Sequence, residues 1–198
     1  MQKKPDDARM AVLNSAIEAF ARKGYAGTSI TDILEATGLS KPTLYYHFES
    51  KAGLFQAILD FAFDEPYTLM VAAAADARGT EAKLAAIAAV LFEFCGTHQH
   101  LTRLALSASF AAEGEIPPAS VNPAKRRRNF EFVLSLIREG QRTQVLDPQR
   151  DPTEMAHGIF GSITSQIRMH FLTPAGPLDR ERAERVVSLF LNGARAPR

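Results

Sequence analysis

The amino-acid sequence predicts an all-α protein, and three observations support that prediction. Apolar residues recur at helical spacing in most segments, as Leu13, Ile17 and Phe20 do near the N terminus. No segment alternates between apolar and polar residues with the period of two that a strand requires, and hairpin signals are absent. Glycines and prolines divide the 198 residues into lengths that suit about nine helices.

The helices of the N-terminal region are delimited by clear capping signals. An amphipathic helix over residues 8–23 is followed by Ser29 and Asp32, which have the spacing of a capping box. Gly38 supplies the left-handed residue that ends the short helix starting there. Ser40 then caps another short helix. The sequence therefore predicts two short helices joined by a tight turn.

The second of these short helices, residues 41–48, is called the recognition helix below. Leu44 and Phe48 lie four residues apart and form its inward face. Its outward face carries hydrogen-bond donors and aromatic rings, with no acidic side chain. The second helix of a helix–turn–helix needs such a face to enter the major groove of DNA. The alternative is an ordinary helical hairpin, although exposed aromatic rings favour association with another molecule.

This region resembles the TetR family of bacterial transcriptional regulators. The segments that carry the resemblance are Ala16–Phe20, Gly24-Tyr25, Thr28–Ile33 and Gly38–Lys51. The resemblance extends over about residues 8–60 and departs from the common pattern at Leu34 and Pro42. Because Pro42 lies at the DNA-facing edge, where the family more often has glycine, base preference does not carry over.

The resemblance implies a homodimer that binds a palindromic operator in double-stranded DNA. Such proteins are most often repressors, released from DNA by a small hydrophobic effector. The resemblance places Lys41, Pro42, Thr43 and Tyr45 nearest the bases, and Tyr46, His47 and Lys51 at phosphates. Thr31, on the preceding helix, is expected to reach the DNA backbone or a base.

Pro66 marks the expected end of a fourth helix that begins at Lys51, so the sequence predicts a domain boundary there. We therefore divide the chain into a helix–turn–helix DNA-binding domain, residues 1–65, and a helical effector-binding and dimerisation domain, residues 66–198. Helices of the second domain are expected over residues 68–76, 80–95, 101–112, 124–144, 153–172 and 179–194.

Aromatic and aliphatic residues of the second domain are candidates for an effector pocket. Plain hydrophobic core is the default interpretation of such a set. The family resemblance, however, implies an apolar inducer pocket in this domain. The candidate ligand-binding residues are Phe92, Leu106, Phe110, Phe130, Val133 and Phe160.

The last two predicted helices carry small and apolar residues that suit a dimer interface. Small residues would let a helix of another chain approach closely, and two such helix pairs would form an isologous four-helix bundle. The candidate interface residues are Gly158, Gly161, Ile163, Ile167, Val187 and Phe190. The alternative is that both helices pack only within their own chain.

Two further patterns have ordinary explanations. Cys95, His98 and His100 are metal-ligand types, but a structural zinc site needs four ligands and no second pair stands nearby. We therefore expect no metal and no cofactor. The basic run at residues 125–128 is either the solvated face of a helix, which we favour, or a second nucleic-acid patch.

Composition and the lack of catalytic motifs indicate a cytoplasmic protein that is neither an enzyme nor a membrane protein. The net charge is only +1, so DNA affinity must come from where the charges lie. A single cysteine, with neither a signal peptide nor a long apolar run, fits a reducing cytosol. No nucleophile–base set or phosphate-binding loop is recognisable. The alternatives to a DNA-binding regulator are a helical small-molecule-binding protein without operator binding and a small helical metalloenzyme using Cys95, His98 and His100.

Overall fold

The computed structural model describes residues 5–118, 120–173 and 176–193, and within these ranges it contains nine α-helices and no strand. The predicted all-α fold is confirmed. The helices are α1 (Pro5–Lys23), α2 (Ile30–Glu35), α3 (Lys41–Phe48), α4 (Lys51–Asp76), α5 (Thr80–Thr97), α6 (Gln99–Ala108), α7 (Pro123–Arg142), α8 (Pro152–Leu172) and α9 (Arg180–Asn192).

Helix α4 continues through Pro66, so the prediction that a helix ends at this proline is wrong. Proline lacks the N–H group that would bond to the carbonyl four residues earlier, which normally weakens a helix interior. The carbonyl four residues before Pro66 is that of Ala62. The next carbonyl, that of Phe63, accepts hydrogen bonds from Asn129 Nδ2 at 2.9 Å and from Arg128 Nη2 at 3.4 Å. These bonds from α7 support the proline-containing turn, which sequence spacing alone does not reveal.

Most other helix ends lie close to the predicted positions. Helix α5 includes Gly96 and ends at Thr97, two residues after the predicted end. Helix α6 ends at Ala108, four residues before the expected end at Ala112. The end of α9 was predicted at Ala194, which lies outside the described residues.

The chain divides into two compact units. The first unit contains the residues up to Ala62 together with His98–Pro123. In it α1 packs against α2, α3 and α6, and α2 packs against α3. Its core includes Phe20, Leu44 and Phe55, each at most 1% exposed. The short helices α2 and α3 are thus held on α1 by buried apolar side chains.

The second unit contains Phe63–Thr97 and the residues from Ala124 onward. Helix α5 packs against α8 and α9, and α8 packs against α9. Leu84, Ile87 and Phe92 on α5 are at most 1% exposed and form the centre of this core. Lys83 Nζ on α5 also donates to both carboxylate oxygens of Glu139 on α7, at 2.9 and 3.0 Å.

The observed units differ from the predicted division at residue 65 in the placement of α6. Residues 98–123 were assigned to the second domain by their position in the sequence, but they belong to the first unit. The reason is tertiary: α6 packs on α1 and buries Leu101 and Leu104. Among the described helices, none combines the length and the apolar character that crossing a membrane requires.

Candidate nucleic-acid interface

The start of α2 is held by a complete capping box, as predicted. Asp32 N donates to Ser29 Oγ at 3.1 Å, and Ser29 N donates to Asp32 Oδ2 at 2.7 Å. Lys23 Nζ, on the last turn of α1, lies 2.6 Å from Asp32 Oδ1. The hydrogen bond from Lys23, followed by those from Ser29, holds the pKa of Asp32 well below its ordinary value. The carboxylate therefore ties α2 to the end of α1.

The turn between α2 and α3 follows the predicted capping pattern. Gly38 has a φ of 66°, in the left-handed region, and its N–H donates to Leu34 O at 3.0 Å. Ser40 caps α3 by accepting from Thr43 N at 3.3 Å. The hydroxyls of Ser40 and Thr43 also lie 2.9 Å apart. Local sequence signals therefore determine where the recognition helix, α3, begins.

The recognition helix has the two faces that its sequence predicts. Leu44 is 0% exposed and Phe48 is 5% exposed, so both belong to the core of the first unit. On the opposite face Tyr46 is 82% exposed and Tyr45 is 45% exposed. The structure also places Lys41, Pro42 and Thr31 in solvent, while Thr43 and His47 are half-buried. The predicted DNA-contacting side chains of α3 therefore reach the surface, and α3 itself carries no acidic residue.

Two aromatic rings at the exposed end of α3 constrain each other. The rings of Tyr46 and His47 meet edge to face, with centroids 5.1 Å apart and planes inclined by 76°. Arg9 of α1 lies with its guanidinium 5.3 Å from the centre of the Phe48 ring. Arg9 was not among the predicted site residues, and nothing distinguishes it in sequence from any exposed arginine of an amphipathic helix.

Lys51, at the start of α4, is oriented by an aromatic cluster. Its ammonium lies 4.3 Å from the centre of the Tyr25 ring. Tyr25 contacts Phe20 and Phe55, with ring centroids 5.8 and 5.0 Å apart. Burial raises the pKa of Tyr25, so the ring stays neutral. The lysine is thus half-buried, and its ammonium lies over the Tyr25 ring instead of projecting freely into solvent.

The predicted effector-binding residues do not all lie in one unit. Phe92, Phe130, Val133 and Phe160 belong to the second unit, where Phe92 and Val133 are buried and Phe130 and Phe160 are half-buried. The Phe130 ring lies 4.4 Å from that of His157 and 6.4 Å from that of Phe160. Two of the candidates, Leu106 and Phe110, belong to the first unit, and Phe110 is 79% exposed. The sequence grouped all six because α6 was assigned to the second domain, and their role in ligand binding stays a prediction.

The predicted dimer-interface residues separate onto two faces of α8 and α9. Gly158 and Gly161 are exposed, and Phe190 is half-buried. In contrast Ile163, Ile167 and Val187 are 1%, 6% and 1% exposed within their own chain, so they pack inward and cannot offer a surface to a second copy. The helical period separates these isoleucines from the glycines. The small residues line an open groove of about 620 Å³ that includes Ser162, Ser165 and Val186.

The two remaining sequence patterns have structural explanations. Cys95 is buried, and among the described residues no group of three or more metal-ligating side chains lies together. In the basic run, Lys125 Nζ lies 2.5 Å and Arg128 Nη2 lies 2.9 Å from the carboxylate of Asp64 on α4. Arg127 is 79% exposed and pairs with Glu131. The run is therefore only partly the solvated face that was expected.

These features define a helix–turn–helix unit with a polar and aromatic recognition helix, joined in sequence to a second all-α unit. Residues 12–58 match the family model described as bacterial regulatory proteins, tetR family. This part of the chain is a tetR-family domain, and the resemblance inferred from the sequence is confirmed.

Comparison with a curated relative supports the same assignment over the same region. The chain is 48% identical over 56 residues to the HTH-type transcriptional repressor ComR of Escherichia coli (strain K12). The aligned part covers 28% of this chain and 27% of ComR, so the similarity extends over about a quarter of that relative.

Solved structures are similar over nearly the whole chain. The fatty acid degradation regulator FadR from Bacillus halodurans is 17% identical with a TM-score of 0.83, and the match covers 100% of both chains. The regulator FadR from Bacillus subtilis, solved in complex with stearoyl-CoA, is 16% identical with a TM-score of 0.79. That match covers 94% of this chain and 99% of the other. At these identities the likeness shows the fold.

Proposed function

We propose that this protein is a cytoplasmic, homodimeric transcriptional repressor that binds a palindromic DNA operator and is released by a small hydrophobic effector, without catalysing a reaction. The observation that carries the proposal is the outward face of α3. That face presents Tyr45 and Tyr46 with Lys41, while Leu44 and Phe48 anchor the helix in the core. ComR, which is similar over this region, is itself described as a repressor.

Side-chain chemistry determines which residues of α3 are assigned to bases and which to phosphates. Base edges are read by side chains near the start of a recognition helix, and phosphates are held by its flanks. Lys41, Thr43 and Tyr45 therefore contact bases in the proposed complex. Tyr46 and Lys51 contact phosphates, with His47 beside them. Of these assignments, that of Lys51 has the most direct structural support, because its ammonium is held in place over Tyr25.

A salt titration tests the phosphate role of Lys51. The probe is the DNA upstream of the protein's own gene. Gel shift and fluorescence anisotropy measure its binding to the protein. Lys51→Ala should lower the slope of log K against log salt by about one unit, because one fewer counterion is released. Arg127→Ala removes an exposed cation from the second unit and should leave the slope unchanged. An unchanged slope for Lys51→Ala would contradict its phosphate role, and wild type that shifts no fragment would favour a ligand-binding protein without operator binding.

The proposed dimer uses the exposed small-residue face of α8 with α9. A Cβ at Gly161 would meet nothing within 4 Å, so a larger side chain fits the single chain. Gly161→Glu should therefore leave the fold intact while blocking a second copy. Leu189, 61% exposed on α9, offers a second site for a charge.

Light scattering and a DNA titration test the dimer together. We expect wild-type dimers, and monomers for Gly161→Glu and Leu189→Glu that bind DNA far more weakly because two half-sites can no longer be engaged at once. Val145→Glu changes a residue of the same unit that is 58% exposed and lies outside this groove, and it should stay dimeric. A wild-type monomer at micromolar concentration that still bound DNA tightly would contradict the proposal.

The proposed effector is hydrophobic or amphipathic, because the candidate residues of the second unit are aromatic and aliphatic. Phe130 and Phe160 are half-buried near one another, with His157 stacked on Phe130. The structural similarity to a FadR that was solved with stearoyl-CoA makes acyl-CoA thioesters a rational first set of compounds. A true effector should raise the thermal midpoint and also release DNA. A ligand that stabilises the protein without changing its DNA affinity would contradict the inducer role.

A further inference from the structure

We infer that the connection between the recognition helix and α4 positions α3 for base reading, with Gly53 as its positioning residue. The inference rests on the proposed DNA-binding function. It concerns residues 48–53, which make no assigned DNA contact apart from Lys51. Three observations within the first unit support it, and each involves the main-chain carbonyl of the last residue of a helix.

The connection turns over a single residue. Ser50 N donates to Phe48 O at 2.6 Å, which closes a three-residue turn around Glu49. Glu49 has a φ of 61° and a ψ of −37°. A γ-turn with positive φ at its centre is rare and strained for a residue with a side chain. The chain therefore leaves α3 abruptly, while Glu49 N still donates to Tyr45 O at 2.9 Å.

Gly53 allows this turn because it has no side chain. A Cβ at Gly53 would lie 2.2 Å from Phe48 O, far inside any real contact distance. The Gly53 N–H donates to Ser50 Oγ at 2.9 Å, so the first turn of α4 is also capped here. The carbonyl that closes the turn thus lies directly against the bare α-carbon of Gly53. A methyl group there must displace main-chain atoms of α3 or α4, since no flexible side chain can move aside.

The other side of the helix–turn–helix shows the same arrangement. A Cβ at Gly27 would lie 2.4 Å from Lys23 O, the carbonyl of the last residue of α1. Helices α2 and α3 therefore lie between two glycines, each in close contact with the end of the helix that precedes it. Neither glycine was recognised in the sequence, because glycine near a helix end is common and nothing there marks a close approach.

A side chain at Gly53 that displaces α3 should reduce the selectivity of DNA binding. Phe48 is buried, so a shift of its carbonyl moves the recognition helix relative to the rest of the first unit. Hydrogen bonds to base edges weaken steeply when distance or angle changes. Contacts of flexible cations with phosphates depend mainly on charge and tolerate the same shift better. Displacing α3 should therefore weaken specific binding more than non-specific binding.

The test compares Gly53→Ala with Gly96→Ala in the full chain. Gly96 lies inside α5, and a Cβ there would meet nothing within 4 Å. Replacing a helical glycine by alanine normally stabilises a helix, so Gly96→Ala should raise the thermal midpoint and leave DNA binding unchanged. Gly53→Ala should lower the midpoint. It should also weaken binding to the fragment that wild type shifts by at least about tenfold, the size of one lost base contact, with a smaller change on unrelated DNA.

A matched pair at Glu49 decides the question even if Gly53→Ala does not fold. Glu49→Gly and Glu49→Val remove the same charge from an exposed residue. Glycine accepts a positive φ and valine resists it. The valine variant should therefore bind the specific fragment more weakly than the glycine variant.

The outcomes separate this inference from the proposed function. Wild type that shifts no fragment overturns both. Wild type that binds specifically, with Gly53→Ala equal to it or Glu49→Val equal to Glu49→Gly, overturns the positioning role alone. Equal losses on specific and unrelated DNA also overturn it, because they indicate general damage to the first unit.

Discussion

The two units of the chain are both all-α, but the partners that hold their helices lie at different separations in the sequence. In the first unit Ser29 and Ser40 cap the two short helices of the motif, and Lys23 pairs with Asp32 nine residues away. In the second unit Lys83 on α5 pairs with Glu139 on α7, 56 residues away. Partners that are close in sequence can be recognised from local patterns, whereas distant partners are brought together only by the fold. The difference explains why local sequence signals were most informative in the first unit.

The largest expected effects come from removing a core ring in each unit. Phe55 and Phe92 are both 0% exposed. Phe55→Ala and Phe92→Ala should each lower the free energy of unfolding by about 3–5 kcal/mol, because a large cavity remains. Urea unfolding measures the free energy of unfolding of the whole chain. Hydrogen exchange should show loss of protection mainly in the first unit for Phe55→Ala and mainly in the second for Phe92→Ala. Equal loss in both units would show that the two unfold as one.

A smaller effect is expected at Asp64, which joins α4 to α7 within the second unit. Burial alone would raise the pKa of Asp64, but the hydrogen bonds from Lys125 and Arg128 outweigh it and hold that pKa below its ordinary value. The side chain is 43% exposed, so solvent screens the pairs. Asp64→Asn should therefore cost only about 1 kcal/mol at neutral pH.

The pH dependence of stability provides the sharper measurement at Asp64. A lowered pKa in the folded state means that the carboxylate contributes stability above its unfolded pKa, near pH 4. That contribution is lost as the pH falls through the lower folded value. Urea midpoints between pH 7 and pH 3 should therefore fall more for wild type than for Asp64→Asn. Parallel curves would contradict the role given to these ion pairs.

The smallest of these effects compares two serines. Ser29→Ala removes the side-chain acceptor that caps α2 and should cost about 1 kcal/mol. Ser135 lies inside α7, where its hydroxyl donates to Phe132 O at 2.6 Å, and no free helix amide depends on it. Ser135→Ala should stay within about 0.5 kcal/mol of wild type. Thermal unfolding of both variants measures the difference. Equal effects would contradict the role of Ser29 as the cap of α2.

Local sequence patterns were enough to predict the helix–turn–helix and the two faces of its second helix. Ser29 with Asp32, Gly38 and Ser40 place the helix ends through hydrogen bonds between near neighbours, and the structure shows each of them. The buried positions Leu44 and Phe48 follow from their spacing. These features could be predicted because both partners of each interaction lie within a few residues of each other, so the sequence displays the whole interaction.

Features whose partners are distant in sequence became evident only in the folded structure. Pro66 lies inside α4, where Asn129 of α7 donates to the preceding turn. Helix α6 belongs to the first unit because it packs on α1, so Leu106 and Phe110 belong to a different unit from the other four candidates for an effector pocket. Packing against neighbouring helices also decides that Ile163 is core while Gly161 is surface. Local sequence pattern shows that a residue is apolar or small, but which neighbour covers it depends on contacts between segments that the pattern does not encode.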